Sequence, residues 1–233
     1  MKLFEPEAIL RFLPKLLTAL PVTLGIVLIA SAAGLLLGLL LALSRVERLP
    51  VLSQLAAVMV SFLRGTPVLV QMFIVYYGLP LLLNTVGVNI FSWDKIIFIY
   101  ITYSLNCAAF FSESIRSAVL AVPKGQRDAA AASGLSRAQA YRRIILPQSA
   151  VIALPSVGMT LTGLLQDSSL AFSLGILDVM GRANALGAVT SRVLEAYAAA
   201  AILFIALTIV FEQAFRGVQR KLAPQNHIAK GTA

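Results

Sequence analysis

The chain is short of charge. Only 12% of its 233 residues are Asp, Glu, Lys or Arg, while 59% are hydrophobic; a soluble domain carries about a quarter charged residues. Acidic residues are the scarcer sign, 10 against 19 basic ones. The single cysteine, Cys107, excludes an internal disulfide and reads as a small buried hydrophobe. The single histidine, His227, sits in a polar tail without the companions that a metal site needs. No His/Cys/carboxylate cluster marks metal chemistry, and no nucleophile has a base beside it. The phosphate-binding pattern G-x-x-x-x-G-K-[ST] is absent, so any dependence on ATP has to come from another chain. No repeat of 20–50 residues and no interdomain linker is visible.

The few charges are clumped. Residues 16–44, 65–93, 96–112, 144–166 and 196–211 contain none, and about 17–25 apolar residues are what a helix needs to cross the hydrocarbon core. The expected fold is therefore all-α, a polytopic membrane protein with five transmembrane helices at about 16–43, 51–82, 95–119, 148–172 and 194–215. Residues 1–223 make one domain, and a tail at 224–233 is expected to be disordered. The first run is longer than the roughly 7–15 residues of a signal-peptide core, so it is expected to remain as a span.

A net charge of +9 would suit nucleic acid, but the distribution points to the membrane. Lys2, Arg11, Lys15, Lys95, Arg182 and Arg192 fall on one side of the five spans. On the other fall Arg45, Arg48, the six basic residues of 116–143, and Arg216, Arg220, Lys221 and Lys230. Positive charge is retained in the cytoplasm. The amino terminus is thus expected outside, and residues 116–143 and the carboxyl terminus inside.

Several residues stand out within the spans. Ala30, Gly34, Gly38 and Ala42 recur every four positions, a spacing that lets helix backbones approach closely in lipid. The stretch "FLRGTPVLVQ" should bend or unwind the second span, because Pro67 removes a ladder donor. Arg64 there snorkels to the interface; alternatively, the freed backbone and Gln71 line the interior. Glu113 and Arg116, three apart on one helical face, can form a structural ion pair. "QDSSL" puts Gln166, Asp167, Ser168 and Ser169 in a membrane segment. An intramembrane carboxylate is expensive and faces the interior, where it either contacts a ligand or bonds a neighbouring helix.

Between the third and fourth spans lies a broken helix at 124–146. Gln126 to Ser133 is alanine-rich, Gly134 fits a left-handed terminating position, and Ser136 with Gln139 makes a capping box. By composition alone this is a basic surface loop. Its spacing is more specific: Asp128-Ala129-Ala130, three residues, Gly134, nine residues, Ile144-Ile145-Leu146-Pro147. That pattern resembles the "EAA" signature of ABC importer permeases, with Asp128 where the family usually has Glu. "FLRGTPVLVQ", "SESIRSAVLAVPKGQRDAA", "LPQSAVIALPS" and "QDSSLAFSLGILDVMGRAN" extend the likeness to the polar amino acid uptake branch. There Ser117-Ala118 replaces a glycine doublet and Gln166 replaces a lysine. "YYGLPLLLN" suggests the cystine type.

The resemblance implies a permease of a type I importer in the bacterial inner membrane. It implies a second permease copy, identical or not, membrane lipid around the pair, and no nucleic acid. A cytosolic ABC ATPase would hold ATP and Mg, and an extracytoplasmic binding protein would deliver an amino acid. Asp128, Ala129, Ala130, Gly134, Leu135 and Arg137 would dock to the ATPase. Gln71, Thr66, Gln166, Asp167, Ser168 and Ser169 would be candidates for the substrate path. The competing reading is a self-sufficient secondary transporter or channel driven by an ion gradient, which predicts inverted repeats and several deep charges.

Overall fold

The computed structural model of the protein describes residues 4–222, so the tail at 224–233 lies outside the described residues. Every regular element among them is helical. They are α1 (Pro6–Leu17), α2 (Leu20–Val46), α3 (Leu52–Gly65), α4 (Val68–Phe73), α5 (Leu79–Asn84), α6 (Lys95–Ala121), α7 (Lys124–Ala132), α8 (Arg137–Ala140), α9 (Leu146–Asp167), α10 (Val179–Thr190) and α11 (Val193–Leu222). Single π-helical turns at Ile74–Gly78 and Tyr141–Ile145 join α4 to α5 and α8 to α9, and a 3₁₀ segment at Ser168–Leu174 extends α9.

Four stretches are long and apolar enough to cross a bilayer: Leu20–Val46, Lys95–Ala121, Arg137–Leu174 and Val193–Leu222. The fifth candidate is a bent pair of helices. Leu52–Gly65 and Val68–Asn84 meet at 114°. The cause is local, since Thr66 is extended (φ −119°, ψ 145°) before Pro67, the conformation that a following proline imposes.

α2 and α6 form the most extensive helix pair. Ala30, Gly34, Gly38 and Ala42 are all buried along their contact. A Cβ added to Gly34 would sit 2.6 Å from the Cys107 Cβ, and one at Gly38 would sit 2.9 Å from the Ala108 carbonyl oxygen. The two backbones therefore touch. Around this seam Ile26, Val27, Met72, Ile99, Tyr103, Phe111 and Leu165 form the principal core. The outer surface is apolar too, with Leu28, Leu36, Leu40, Leu55, Val58 and Val210 exposed, as a lipid-facing wall requires.

Two elements depart from the expected spans. The first span begins at Leu20, and α1 is a separate helix, because Pro21 has no N–H to continue the ladder from Leu17. α1 is amphipathic, burying Ala8, Phe12 and Leu16 against α10 and α11. α10 occupies what read as a loop. Its small residues, among them Gly181, Ala183 and Gly187, give no hydrophobic period, and packing against α1 and α11 supplies the stability instead. Its start was legible: Asp178 caps it, accepting from the Gly181 N–H at 2.8 Å.

Because backbone contact leaves no room at the seam, Gly38→Leu should prevent a stable fold, read as loss of a monodisperse detergent-solubilised chain. Gly217→Ala, in α11 with nothing within 4 Å of the new methyl, should stabilise by about 0.5–1 kcal/mol in a thermal melt.

Candidate functional site

The helix break at Pro67 leaves a specific debt. In an uninterrupted helix the Leu63 carbonyl would accept from the N–H of residue 67, which proline lacks. Gln71 supplies it. Its buried Nε2 donates to the Leu63 carbonyl at 2.7 Å and to the Thr66 carbonyl and hydroxyl at 2.9 Å each. Thr66 in turn donates to the Phe62 carbonyl at 2.8 Å. Gln71 and Thr66 are thus occupied in holding the bend, and Gln71 presents only its oxygen elsewhere. That oxygen accepts from Asn106 Nδ2 at 3.1 Å.

Asn106 leads to the membrane cleft. A cavity of about 310 Å³ between α6 and α9 is lined by Asn106, Ser156, Thr160 and Asp167, with Cys107, Phe110 and Met159 among its apolar walls. Asp167 is positioned through its backbone, whose carbonyl accepts from the Tyr103 hydroxyl. Its carboxylate makes no hydrogen bond or ion pair among the described residues. The other residues of "QDSSL" do not converge with it. Ser168 is fully buried and bonds the Leu165 carbonyl at 2.7 Å, and Ser169 is half-buried. Gln166 lines a different cleft, of about 470 Å³, with Glu212 and Arg216 of α11. Asn106, Ser156 and Thr160 were not singled out from sequence; short polar residues on a long apolar helix carry no positional signal until the neighbouring helix is in place.

At the other end of the bundle, the broken helix is built tightly onto its neighbours. α7 stops at Gly134, which has φ +75°, and Ser136 opens α8 with both bonds of a capping box. Ala130 is buried, whereas Asp128, Ala129 and Gly134 lie on the exposed face and Leu135 is half-buried. Val119, Val122 and Ile145 pack beneath the element. Arg127 Nη2 donates to the Val119 carbonyl at 3.2 Å, and Arg137 pairs with Glu47, just beyond α2. Glu113 also does more than meet Arg116. It binds Arg45 of α2 at 2.8 Å as well, so one carboxylate ties α2 to α6 near the same end.

The opposite end carries a second network. The Glu5 N–H donates to Glu195 at 3.0 Å and the Glu5 carboxylate pairs with Arg192, which fixes α1 to the start of α11. Asp178 is fully buried and its Oδ2 has no partner among the described residues. Burial pushes its carboxyl up to about 6, against the smaller opposing pull of backbone N–H groups.

The profile of the binding-protein-dependent transport system inner membrane components matches residues 34–224. The chain belongs to this family. This permease is 42% identical to the L-cystine transport system permease protein TcyL of Bacillus subtilis (strain 168), over 95% of this chain and 92% of that one. It is 34% identical to the arginine transport system permease protein ArtQ of the same organism, covering 90% and 93% of the two chains. Among solved structures it superposes with TM-score 0.82 and 28% identity on the crystal structure of an amino acid ABC transporter with histidines, over 94% of this chain and 99% of that one. The permease is a multi-pass inner-membrane protein, its relatives are transport subunits and not enzymes, and membership favours an ABC importer over an ion-driven transporter or channel.

Two outcomes follow from the electrostatics. Replacing Glu113 by Gln leaves Arg45 and Arg116 facing each other without an anion, and should lower stability by about 1–3 kcal/mol in a denaturation assay. The folded permease binds a proton at Asp178 more readily than the unfolded chain does, so this group's contribution is fully present below about pH 4 and is lost as pH rises to about 6. In thermal melts across that window, Asp178→Asn should flatten the decline.

Proposed function

We propose that this permease forms half of the translocation path of an ATP-driven importer for a polar amino acid, with L-cystine as its first candidate. The observation that carries the choice is the 42% identity to an L-cystine permease along nearly the whole of both chains, against 34% to an arginine permease. The amino terminus lies outside and the carboxyl terminus in the cytoplasm, in keeping with the distribution of lysine and arginine. A binding protein delivers the amino acid from outside. The second half of the path is another permease copy, held with this one in lipid.

Chemically, the Asp167 cleft suits an α-ammonium group. A carboxylate with no ion pair among the described residues, flanked by the amide of Asn106 and the hydroxyl of Thr160, offers one negative charge and neutral hydrogen-bonding groups. Charge-assisted bonds of this kind are about twice as strong as neutral ones. ATP and Mg are bound, and ATP is hydrolysed, on a separate cytosolic subunit. Asp128, Ala129 and Gly134 present the contact face to it, with Leu135 and Arg137 beside them and Ala130 holding the element from beneath. Because the element is capped internally and tied to α2, α6 and α9, motion of the ATPase is transmitted as displacement of those helices and not absorbed in a loop.

Uptake of radiolabelled L-cystine, L-arginine and L-histidine into proteoliposomes holding the complete transporter tests this reading. L-cystine uptake should require ATP inside and persist when ionophores collapse ion gradients. Uptake that follows the gradient and ignores ATP would sink it. Asp167→Asn should lower uptake about tenfold or more while leaving the assembled complex intact. Ala129→Arg, which buries no new charge in the permease itself, should break ATPase docking, with uptake lost and the ATPase no longer co-purifying.

A further inference from the structure

We propose that Gln71 is a positioning residue which, through Asn106, fixes the hydrogen-bonding polarity of the Asp167 cleft and so ties the cleft to the bend of the second span. The argument runs through donors and acceptors. An amide side chain has two N–H donors on nitrogen and an acceptor oxygen, and its orientation is set by its partners. Three oxygens face Gln71 Nε2, two of them backbone carbonyls that can only accept. Gln71 therefore cannot be reversed, and its Oε1 must face Asn106.

The orientation of Asn106 follows. It must turn its Nδ2 toward Gln71, at 3.1 Å, which leaves its own Oδ1 as an acceptor. Asn106 lines the cleft beside Asp167, and that oxygen has no hydrogen-bond partner among the described residues. The Asp167 carboxylate and the Asn106 amide oxygen then form a pair of acceptors in the cleft, beside the Thr160 hydroxyl oxygen, whose hydrogen goes to the Ser156 carbonyl. Such a pair selects a ligand rich in N–H donors, an ammonium above all, as the reading of the cleft as an amino acid path requires; the inference rests on that reading. The same chain has a mechanical side. Any change in the 114° bend that draws Gln71 away from Leu63 and Thr66 also releases Asn106 to turn, and the cleft loses the amide acceptor when the helix moves.

The test is a double-mutant cycle in the complete transporter, reading substrate imported per ATP hydrolysed, with whichever of L-cystine, L-arginine and L-histidine the wild type imports fastest. Gln71→Met keeps the side-chain length without its bonds, and Asn106→Ala removes the second member. Each alone should lower import per ATP about tenfold, and the double variant should be little worse than either, because both break one chain. Multiplying effects, or an Asn106→Ala transporter with wild-type coupling, would overturn the relay and reduce Gln71 to a structural cap. Should Gln71→Met fail to fold, Asn106→Asp decides. It keeps acceptor oxygens in the cleft and, when ionised, has no hydrogen to donate to Gln71, so the relay requires it to be impaired at pH 8, and full import by this variant at that pH refutes the relay. A wild type that imports none of the three amino acids overturns the transport reading itself, a result distinct from all of these.

Discussion

Backbone contact between α2 and α6 is the constraint on which the rest of the molecule depends. Lipid tails are as apolar as leucine, so helices in a bilayer gain little from hiding hydrophobic surface and must rely on close packing. Gly34 and Gly38 let α2 approach until a methyl at either position would strike α6. With those two helices fixed, α3 and α9 both pack on α6, and Asn106 of α6 joins the bend to the cleft. The salt bridge from Arg45 to Glu113 closes the same pair near the broken helix at 124–146.

The bend in the second span shows how irregular backbone survives inside a membrane protein. An unmatched carbonyl in such a place costs several kcal/mol, and a proline guarantees one. Here a side chain eight residues along replaces the missing donor. The repair has a structural benefit and an informational one: a glutamine whose nitrogen is committed to the backbone has a defined oxygen, and that definition passes to the next side chain.

The element at 124–146 obeys the opposite logic. Its caps, a left-handed glycine and side-chain anchors supplement a small apolar base of Val119, Val122 and Ile145. Ala130 faces in while Ala129 faces out, and the exposed face carries small side chains.

How much of this was legible in the chain can be judged residue by residue. The apolar runs, the glycine face of α2, the break at Pro67, the turn at Gly134 and the capping box of Ser136 were readable, because each depends on neighbours within about one helical turn. The pairing of Glu113 with Arg116 was readable for the same reason, but its second arginine, Arg45, was not. Nor were α10, the separate course of α1, the engagement of Gln71 with Leu63, or the meeting of Asn106 with Asp167. Sequence by itself determined which segments are helical and apolar and where the backbone must bend, since those follow from local hydrogen bonding and transfer into lipid. Tertiary structure alone decided which polar side chains share a cleft and which are used up holding the backbone, because partners 35 or 68 positions apart meet only once helices have packed.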